Sequence, residues 1–360
     1  MRCAIVGSGL AALATYATLR HGGVAAEEIV VFGTHEDPTE VWRERAAAIR
    51  QQRMRSESDG HLAPAAFPGL AVREAVRSAS PAPLLRSVVN RYHPSVDDFL
   101  AHAESVRNRS GWEQSFRRLR VERLRAVEGG FTLDGEGPFA HVMVATGHPG
   151  LARPDAFPDA VHAYEPHDYA ASVAVVGAGM AAATEWLNAL AAGAEVVSIR
   201  RREPLRRPLN VPRPFFSKRG LAAYHAATTE RRAATLRELS TPSYPSGASW
   251  DEPVRAAERE GRFRVEHSPN GSHQVIAATG FRQGFQNDAL LADLVDAHDL
   301  PVHDRWIVLE PDSTVAALTD ETRTLSLAGV AAQWAFPAAD TIAGAKYAAH
   351  GFRRRVCRTR

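Results

Sequence analysis

Residues 3–12, CAIVGSGLAA, place a short apolar segment directly before two glycines that are one residue apart. Residues 173–182, VAVVGAGMAA, repeat this arrangement about half a chain later. In both stretches an alanine-rich segment follows the glycines, as expected where a buried β-strand turns sharply into an α-helix. An Ala-Thr-Gly triplet follows each stretch further along the chain, at 145–147 and at 278–280. The repetition predicts two α/β units of the same design in one chain.

Each position of the glycine stretch has its own physical requirement. The first glycine allows the tight turn, the second lets the backbone approach a pyrophosphate, and the third position needs a small residue so that helix and strand pack closely. The N-terminus of the helix then offers free N–H groups and the positive end of its dipole to phosphate. The pattern predicts two dinucleotide sites, although a glycine turn also occurs in α/β proteins without that role. The positions are Gly7, Gly9 and Ala12 in the first copy and Gly177, Gly179 and Ala182 in the second.

The predicted fold class is α/β, with two Rossmann-like, doubly wound, three-layer units. The first unit is predicted to be discontinuous, comprising residues 1–165 and 290–360, with the second unit, residues 166–289, inserted into it. Residues 203–260 are rich in proline, arginine and aromatic residues and fit no βαβ pattern. They are predicted to form an irregular insertion in the second unit.

Further elements of the first unit follow from local patterns. Residues 29–32 read as its second strand, and residues 34–68 as polar and irregular. From Pro94 to about Arg109 the pattern is helical, with Ser95 as N-cap. Three short strands, at 117–124, 130–133 and 139–145, are predicted to form a meander. A strand at 325–328 and a helix of small residues at about 338–349 complete the prediction.

Composition limits the function classes. The chain has 360 residues and a formal net charge of +2, which is too small to indicate nucleic-acid binding. Its only cysteines are Cys3 and Cys357, so a Cys-x-x-Cys relay, a disulfide framework and a zinc site are not expected. No metal site is predicted. The apolar start of the chain reads as a strand and a helix rather than a signal peptide, and no stretch is long enough to span a membrane. The expected location is the cytoplasm.

The sequence resembles the NADPH-dependent, FAD-containing monooxygenases of the flavin-monooxygenase and N-hydroxylase type. The resemblance covers most of the chain and rests on both glycine stretches, residues 54–56 (MRS), the helix after Pro94, residues 144–150 (VATGHPG) with Pro154, the arginines after Ile199 and residues 277–282 (AATGFR). It implies FAD at the first glycine stretch, NADPH at the second, and crossings between the domains at the triplets, where Thr146, Gly147 and Gly280 lie. It also implies that Gly329 and the helix after Ala338 face the flavin ring.

The activity implied by the resemblance is oxygenation of a small molecule with O2. NADPH would reduce FAD, and a C4a-hydroperoxide of the flavin would oxygenate a nucleophilic nitrogen or another heteroatom, with N-hydroxylation in specialised metabolism favoured. Two alternatives stay open. One is an FAD-dependent NAD(P)H reductase or dehydrogenase of the same fold, and the other is a non-catalytic nucleotide-binding protein. A homo-oligomer is also left open.

Two places on the chain bear on which nucleotide is bound. Arg200, Arg201 and Arg202 follow the second strand of the second unit, where an arginine can bind the 2′-phosphate of NADPH. A solvated loop of like charge is the alternative. In the first unit, Gly33 stands where an acidic residue usually binds the adenosine ribose. Glu36 is the nearest substitute and His35 another.

The remaining site candidates follow from the resemblance. Trp42, Arg43, Met54 and Ser56 would lie along the flavin, and Val121 would lie near the adenine through its backbone. The histidines proposed to position substrate or a flavin proton are His61, His148 and His162, although a structural or exposed histidine is the commoner case in a chain with fifteen of them. The aromatic residues of the insertion could cover the active site or form a packing surface.

Overall fold

Two parallel β-sheets organise the chain, and each contains the strand that leads into one glycine turn. The computed structural model describes residues 2–54, 62, 69–88, 92–207, 211–245, 247–268 and 273–358. Its strands are β1 Cys3–Val6, β2 Ile29–Gly33, β3 Phe116–Arg118, β4 Leu124–Val127, β5 Gly130–Leu133, β6 Glu136–Phe139, β7 His141–Val144, β8 Val161–His162, β9 Ser172–Val176, β10 Glu195–Ile199, β11 Leu205–Arg206, β12 Ser243–Tyr244, β13 Phe263–Glu266, β14 Gln274–Ala277, β15 Val302–His303, β16 Trp306–Ile307 and β17 Thr324–Leu327. Its helices are α1 Leu10–His21, α2 Glu40–Ala48, α3 Leu70–Arg77, α4 Ala82–Val88, α5 Val96–Ser110, α6 Trp112–Ser115, α7 Met180–Ala191, α8 Lys218–His225, α9 Thr229–Leu239, α10 Ala248–Arg259, α11 Ala289–His298 and α12 Ile342–Arg358.

The first sheet has the order β17-β7-β1-β2-β3, and all its neighbouring strands are parallel. All four side chains of β1 are buried, and they alternate between two cores. Cys3 and Ile5 pack with α1 and α12, whereas Ala4 and Val6 pack on the other face against the meander and α11. An apolar strand without polar alternation is what a parallel sheet covered on both faces requires.

The second sheet has the order β13-β10-β9-β14-β8 and is also parallel throughout. Its central strand β9 precedes the second glycine turn, as β1 precedes the first. The predicted α/β class with two doubly wound units is therefore confirmed. Within the described residues, no helix is both long and apolar enough to cross a membrane.

The predicted meander is present but shifted along the chain. Strands β4, β5 and β6 form the antiparallel meander, and only β5 coincides with a predicted strand. Most of the predicted strand at 139–145 is β7 of the parallel sheet. Asp134 and Gly135, both at positive φ (49° and 89°), form the turn between β5 and β6. An Asp-Gly pair between two strands is a strong hairpin signal, so this boundary was present in the sequence.

The insertion at 203–260 is more regular than predicted. It contains α8, α9 and α10 as well as the short parallel pair β11 and β12. Helix α10 packs on α7 and leads into β13, so β10, α10 and β13 complete a regular crossover of the second sheet. The prediction of an irregular insertion was wrong here because Pro253 lies inside α10 and obscures its helical pattern.

Two further predictions need correction. Residues 40–48 of the segment predicted to be irregular form α2, and the last helix begins at Ile342 and extends to Arg358, well beyond the predicted end. Helices α1 and α12 pack side by side. Arg353, late in α12, lies against Gly22 at the end of α1, whereas Ile342 packs on the same core as Leu10 and Ala11. The two helices therefore run in the same direction, and their N-termini lie together.

Candidate nucleotide-binding clefts

The first glycine of each turn makes room for the Ala-Thr-Gly triplet. A Cβ atom on Gly7 would lie 2.2 Å from the carbonyl oxygen of Ala145, and one on Gly177 would lie 2.4 Å from that of Ala278. Both glycines also have positive φ, 107° and 142°. The triplets thus recur with the glycine turns because each triplet's first carbonyl packs directly against a glycine that no other residue can replace.

The second glycine of each turn leaves the start of a helix open. Gly9 and Gly179 are the N-caps of α1 and α7, and neither helix has a side-chain cap. No atom lies within 4 Å of a Cβ built on Gly9, and for Gly179 the nearest is Pro242 Cβ at 3.8 Å. Four other helices are capped by side chains, namely α5 by Ser95, α8 by Ser217, α9 by Thr228 and α11 by Asp288, whereas α2, α3 and α10 have no side-chain cap. The N–H groups of α1 and α7 are thus available to a phosphate.

The third position of each turn is closely packed. Ala12 and Ala182 have no exposed surface, and both lie in the cores between helix and sheet. A larger side chain at either position would push the helix away from its strand.

We call the space in front of the N-terminus of α1 the first cleft and the space in front of the N-terminus of α7 the second cleft. The first cleft is bordered by α12 as well as α1. Gly329, at φ 65°, approaches Ala11 so closely that a Cβ on it would lie 3.9 Å from the Ala11 Cβ. Thr341 caps α12 by accepting a hydrogen bond from the N–H of Gly344 at 3.2 Å. Asp340 precedes this cap and is exposed, yet desolvation by its surroundings raises the pKa of its carboxyl group.

The predicted flavin-contacting residues lie in different environments. Trp42 packs edge-on against Phe99, with ring centroids 5.1 Å apart, next to the core that contains Met54. Arg43 pairs with Asp37 at 2.6 Å. Val121 is buried in the core on the other face of the sheet. Ser56 and His61 lie outside the described residues. The structure thus places Trp42 and Met54 at the same core as α1, and their contact with flavin stays a prediction.

The three arginines after β10 divide into two groups. The Arg200 side chain is only 11% exposed, donates a hydrogen bond to Glu203 at 2.9 Å and lies over the Trp186 ring. Arg201 and Arg202 are exposed, and within the described part of the chain neither side chain has a hydrogen-bond or ion-pair partner. The arrangement therefore leaves Arg201 and Arg202, rather than Arg200, available to an anion.

Two of the predicted catalytic histidines belong to one column of stacked rings. His148 stacks on Phe281 at 4.1 Å, Phe281 on Tyr164 at 5.0 Å, and Tyr164 on His162 at 5.6 Å. The guanidinium of Arg45 lies over Phe281 at 4.8 Å. Burial, with a smaller effect from Arg45, lowers the pKa of His148 to about 4, and burial also lowers that of His162. Both rings are thus held neutral in a packed column, which favours a structural role for them.

The threonine and glycine of each triplet fix the crossings. The Thr146 hydroxyl donates to Asp288 Oδ2 at 2.6 Å, and the Asp288 Oδ1 atom caps α11. Gly147 and Gly280 both have positive φ, 78° and 76°. The sequence analysis identified neither Asp288 nor the column residues Phe281 and Tyr164. Phe281 directly follows the second triplet, and that position was its only available signal.

No family model matches the sequence, and no curated protein matches it. The solved structures to which the chain is similar include the ornithine hydroxylase PvdA from Pseudomonas aeruginosa, with a TM-score of 0.71, 16% identity and 99% of each chain covered. They also include the Kutzneria sp. 744 ornithine N-hydroxylase (0.69, 16%, 98% of this chain and 99% of that one) and the bacillithiol disulfide reductase from Bacillus cereus (0.59, 15%, 98% and 99%). This full-length likeness shows that the chain has the fold of flavoproteins with two dinucleotide-binding domains.

Proposed function

We propose that the protein is an NADPH-dependent flavoprotein monooxygenase that binds FAD in the first cleft and NADPH in the second. The observation that carries this proposal is the pair of uncapped helix N-termini behind equivalent Gly-x-Gly turns, one on each sheet. The similarity over the full chain to two ornithine hydroxylases supports the same assignment.

The residues of the first cleft fit FAD. The open N-terminus of α1 at Gly9 would hold the pyrophosphate, and the N-terminus of α12 behind Thr341 would lie towards the flavin ring. Bound there, FAD supplies the two-electron exchange with nicotinamide and the reaction with oxygen. The chain's own groups bind and orient this cofactor and keep water from it.

In the second cleft the exposed side chains of Arg201 and Arg202 favour NADPH over NADH. Arg201 and Arg202 lie beyond the end of β10, where the adenosine ribose binds in dinucleotide folds, and a 2′-phosphate would give them an anion to bind. We therefore expect R201A/R202A to weaken NADPH binding about 10- to 100-fold while leaving NADH binding nearly unchanged. The matched control is R255A on the exposed face of α10.

A disulfide reductase is the second candidate, because one of the structural neighbours carries that name. Its chemistry requires a reactive sulfur, but Cys3 is buried in β1 and Cys357 lies near the end of α12 opposite the cleft. The chain offers no other cysteine. This distribution supports oxygenation over thiol exchange. A reductase that acts on a quinone or another small acceptor is the remaining form of this alternative.

The test begins with the visible spectrum of the purified protein, in which we expect bound oxidised flavin. NADPH oxidation should then rise with one member of a panel of amines, thioethers and ketones, together with O2 consumption. We place amines first because the neighbours act on ornithine by name. Reoxidation of the reduced protein should pass through a spectrally distinct, long-lived phase. Recovery of the oxidised flavin spectrum in a single fast phase would favour the reductase. A colourless protein that takes up no FAD would favour a non-catalytic role.

We also propose the cytoplasm as the site of action, since NADPH and small-molecule substrates are available there.

A further inference from the structure

Position 33, at the end of β2, is a glycine instead of the usual ribose-binding acid for a steric reason. A Cβ atom on Gly33 would lie 2.2 Å from Ser8 Oγ and 2.3 Å from Ser8 Cβ. Ser8 stands between the two glycines of the first turn and is buried. As long as Ser8 is present, no residue with a side chain fits at position 33, so a carboxylate for the ribose must come from elsewhere.

His35, the second residue after β2, is hydrogen-bonded to this same serine. The backbone N–H of His35 donates to Ser8 Oγ at 3.3 Å, which holds His35 next to the glycine turn. Helix α2 then returns the chain, and His35 Nδ1 lies 2.6 Å from Glu40 Oε1. The Glu40 side chain is 36% exposed, and its contact with His35 uses only one of the two carboxylate oxygens.

The nearer acid in sequence lies elsewhere. The Glu36 carboxylate is 3.5 Å from Arg107 on α5, and its backbone carbonyl accepts a hydrogen bond from the Trp112 indole at 2.9 Å. Arg107 also pairs with Glu113 at 2.6 Å. Glu36 is therefore directed towards α5 and α6, which argues against the substitute role expected from sequence proximity.

We propose that Glu40, positioned by His35, binds the adenosine ribose in the first cleft in place of the acid that Ser8 excludes at Gly33. The proposal rests on nucleotide binding at this cleft, as proposed above, and assigns its ligand class. A carboxylate accepts hydrogen bonds from ribose hydroxyls and repels a 2′-phosphate. The first cleft thus selects an adenosine diphosphate group with a free 2′-hydroxyl, whereas Arg201 and Arg202 give the second cleft the opposite preference.

The test measures binding rather than turnover. FAD affinity of the apoprotein is measured by flavin fluorescence, and ADP and 2′-deoxy-ADP are compared as competitors of FAD, so that only the first cleft is read. We expect ADP to bind about 10-fold or more tightly than 2′-deoxy-ADP. E40Q should lose this preference and weaken FAD binding about 10- to 100-fold. The matched control E36Q should retain both values, and H35N should show an intermediate loss.

A relocation experiment separates a binding role of Glu40 from a structural one. S8G/G33E places an acid at the usual position and removes the serine that blocks it. In the E40Q background this pair should restore the preference for ADP, whereas G33E alone should not. An E40Q protein that keeps the preference, or an E36Q protein that loses it, would overturn the proposal.

Failure of the proposed enzyme function gives a different result. If the protein takes up no FAD, ADP and 2′-deoxy-ADP are titrated by calorimetry with G179D, in which the acid repels phosphate from the second cleft. A preference for ADP that depends on Glu40 supports the ribose assignment without any flavin. Absence of ADP binding to the first cleft would refute it.

Discussion

Gly9 and Gly179 are glycines for a reason that differs from that of Gly7 and Gly177. The latter pair has positive φ and backbone carbonyls against the missing Cβ atoms. Gly9 and Gly179 have ordinary negative φ, −86° and −98°, and space around them. The fold therefore tolerates a side chain at Gly9 or Gly179. Only a ligand bound at the helix N-terminus requires that these positions have no side chain.

This difference gives a prediction for G9D and G179D. Aspartate is a good N-cap, so each variant should fold with a melting temperature within about 2 °C of the parent apoprotein. The added carboxylate takes the N–H groups and repels phosphate. We expect G9D to lose FAD and retain NADPH binding, and G179D to show the reverse, as measured by flavin absorbance and nucleotide titration. Each variant serves as the control for the other, and retained FAD in G9D would contradict the site assignment.

A buried charged pair makes stability depend on pH. His167 donates to the Glu165 carbonyl from Nδ1 at 2.7 Å and lies 3.0 Å from Glu185 through Nε2, with both side chains almost fully buried. Desolvation opposes the charge on His167, but its bonds to Glu185 and to the Glu165 carbonyl outweigh that effect and raise its pKa. Both ring nitrogens face acceptors, which fits a protonated imidazole.

The raised pKa of His167 sets the direction of the pH effect. The stabilisation is complete below the unfolded-state pKa of about 6.5 and is lost as the pH rises through the higher folded-state pKa. We expect the stability advantage of the parent over H167Q to be larger at about pH 6 than at about pH 9. Thermal unfolding across this range, with H267Q at an exposed histidine as control, measures the difference. A gap that widens with pH would show that His167 is buried as the neutral form.

At the scale of elements, the helices of the insertion are fixed to the segment that leads into α12. Tyr224 and Arg232 both donate to the Trp334 carbonyl, at 3.2 and 2.6 Å, and His225 Nε2 lies 2.6 Å from the Ala335 carbonyl. The Arg232 guanidinium also lies over the Trp334 ring at 4.5 Å. These contacts favour a fixed wall of the first cleft over a mobile lid.

Arg232 on α9 should therefore affect a cofactor that it does not contact. We expect R232M to cost about 1.5–3 kcal/mol of local stability and to weaken FAD binding, because the segment before α12 loses its anchor. R231M, at the exposed neighbouring position, is the control. Limited proteolysis and FAD titration report the two effects. Faster cleavage near Trp334 with unchanged FAD affinity would show that the insertion and the cleft are independent.

Elements with a local signal were predictable, and those defined by distant partners were not. The predicted N-cap Ser95 does cap α5, accepting from the Asp98 N–H at 3.1 Å, because capping depends on residues three apart. The strands β1, β2, β9 and β10 were equally predictable, because each is a run of apolar residues. By contrast, the pairing of Thr146 with Asp288 joins residues 142 positions apart and leaves no periodic trace.

At the scale of the whole molecule, α2 connects the two α/β units. Arg45, within the helix, lies over Phe281, and Ile49, directly after it, is buried in the core of the second unit with its carbonyl bonded to Asn188 at 2.9 Å. The next residue, Arg50, lies over Tyr169 at 4.6 Å. Together with the ring column these contacts set the position of one cleft relative to the other.

Loss of the column should thus impair electron transfer between the sites more than binding at either. We expect F281A to lower the rate of flavin reduction by NADPH by about 10- to 100-fold, since a misplacement of about 1 Å has that effect on reacting groups. FAD affinity and reduction by dithionite should stay close to the parent values. F281L, which keeps an apolar side chain, should recover part of the rate. Equal loss of FAD affinity in F281A would instead mean that the column supports the first cleft itself.

The chain path has a consequence for how the protein is made. The first sheet gains its edge strand β17, and α1 gains its covering helix α12, from residues 324–358, whereas every strand of the second sheet lies within residues 161–277. During translation the second sheet can therefore close while β7 still has a bare edge and the apolar face of α1 is uncovered. A flavin that lies against the N-terminus of α12 would bind only after residues 324–358 have folded, and until then the nascent chain exposes the surfaces that chaperones recognise.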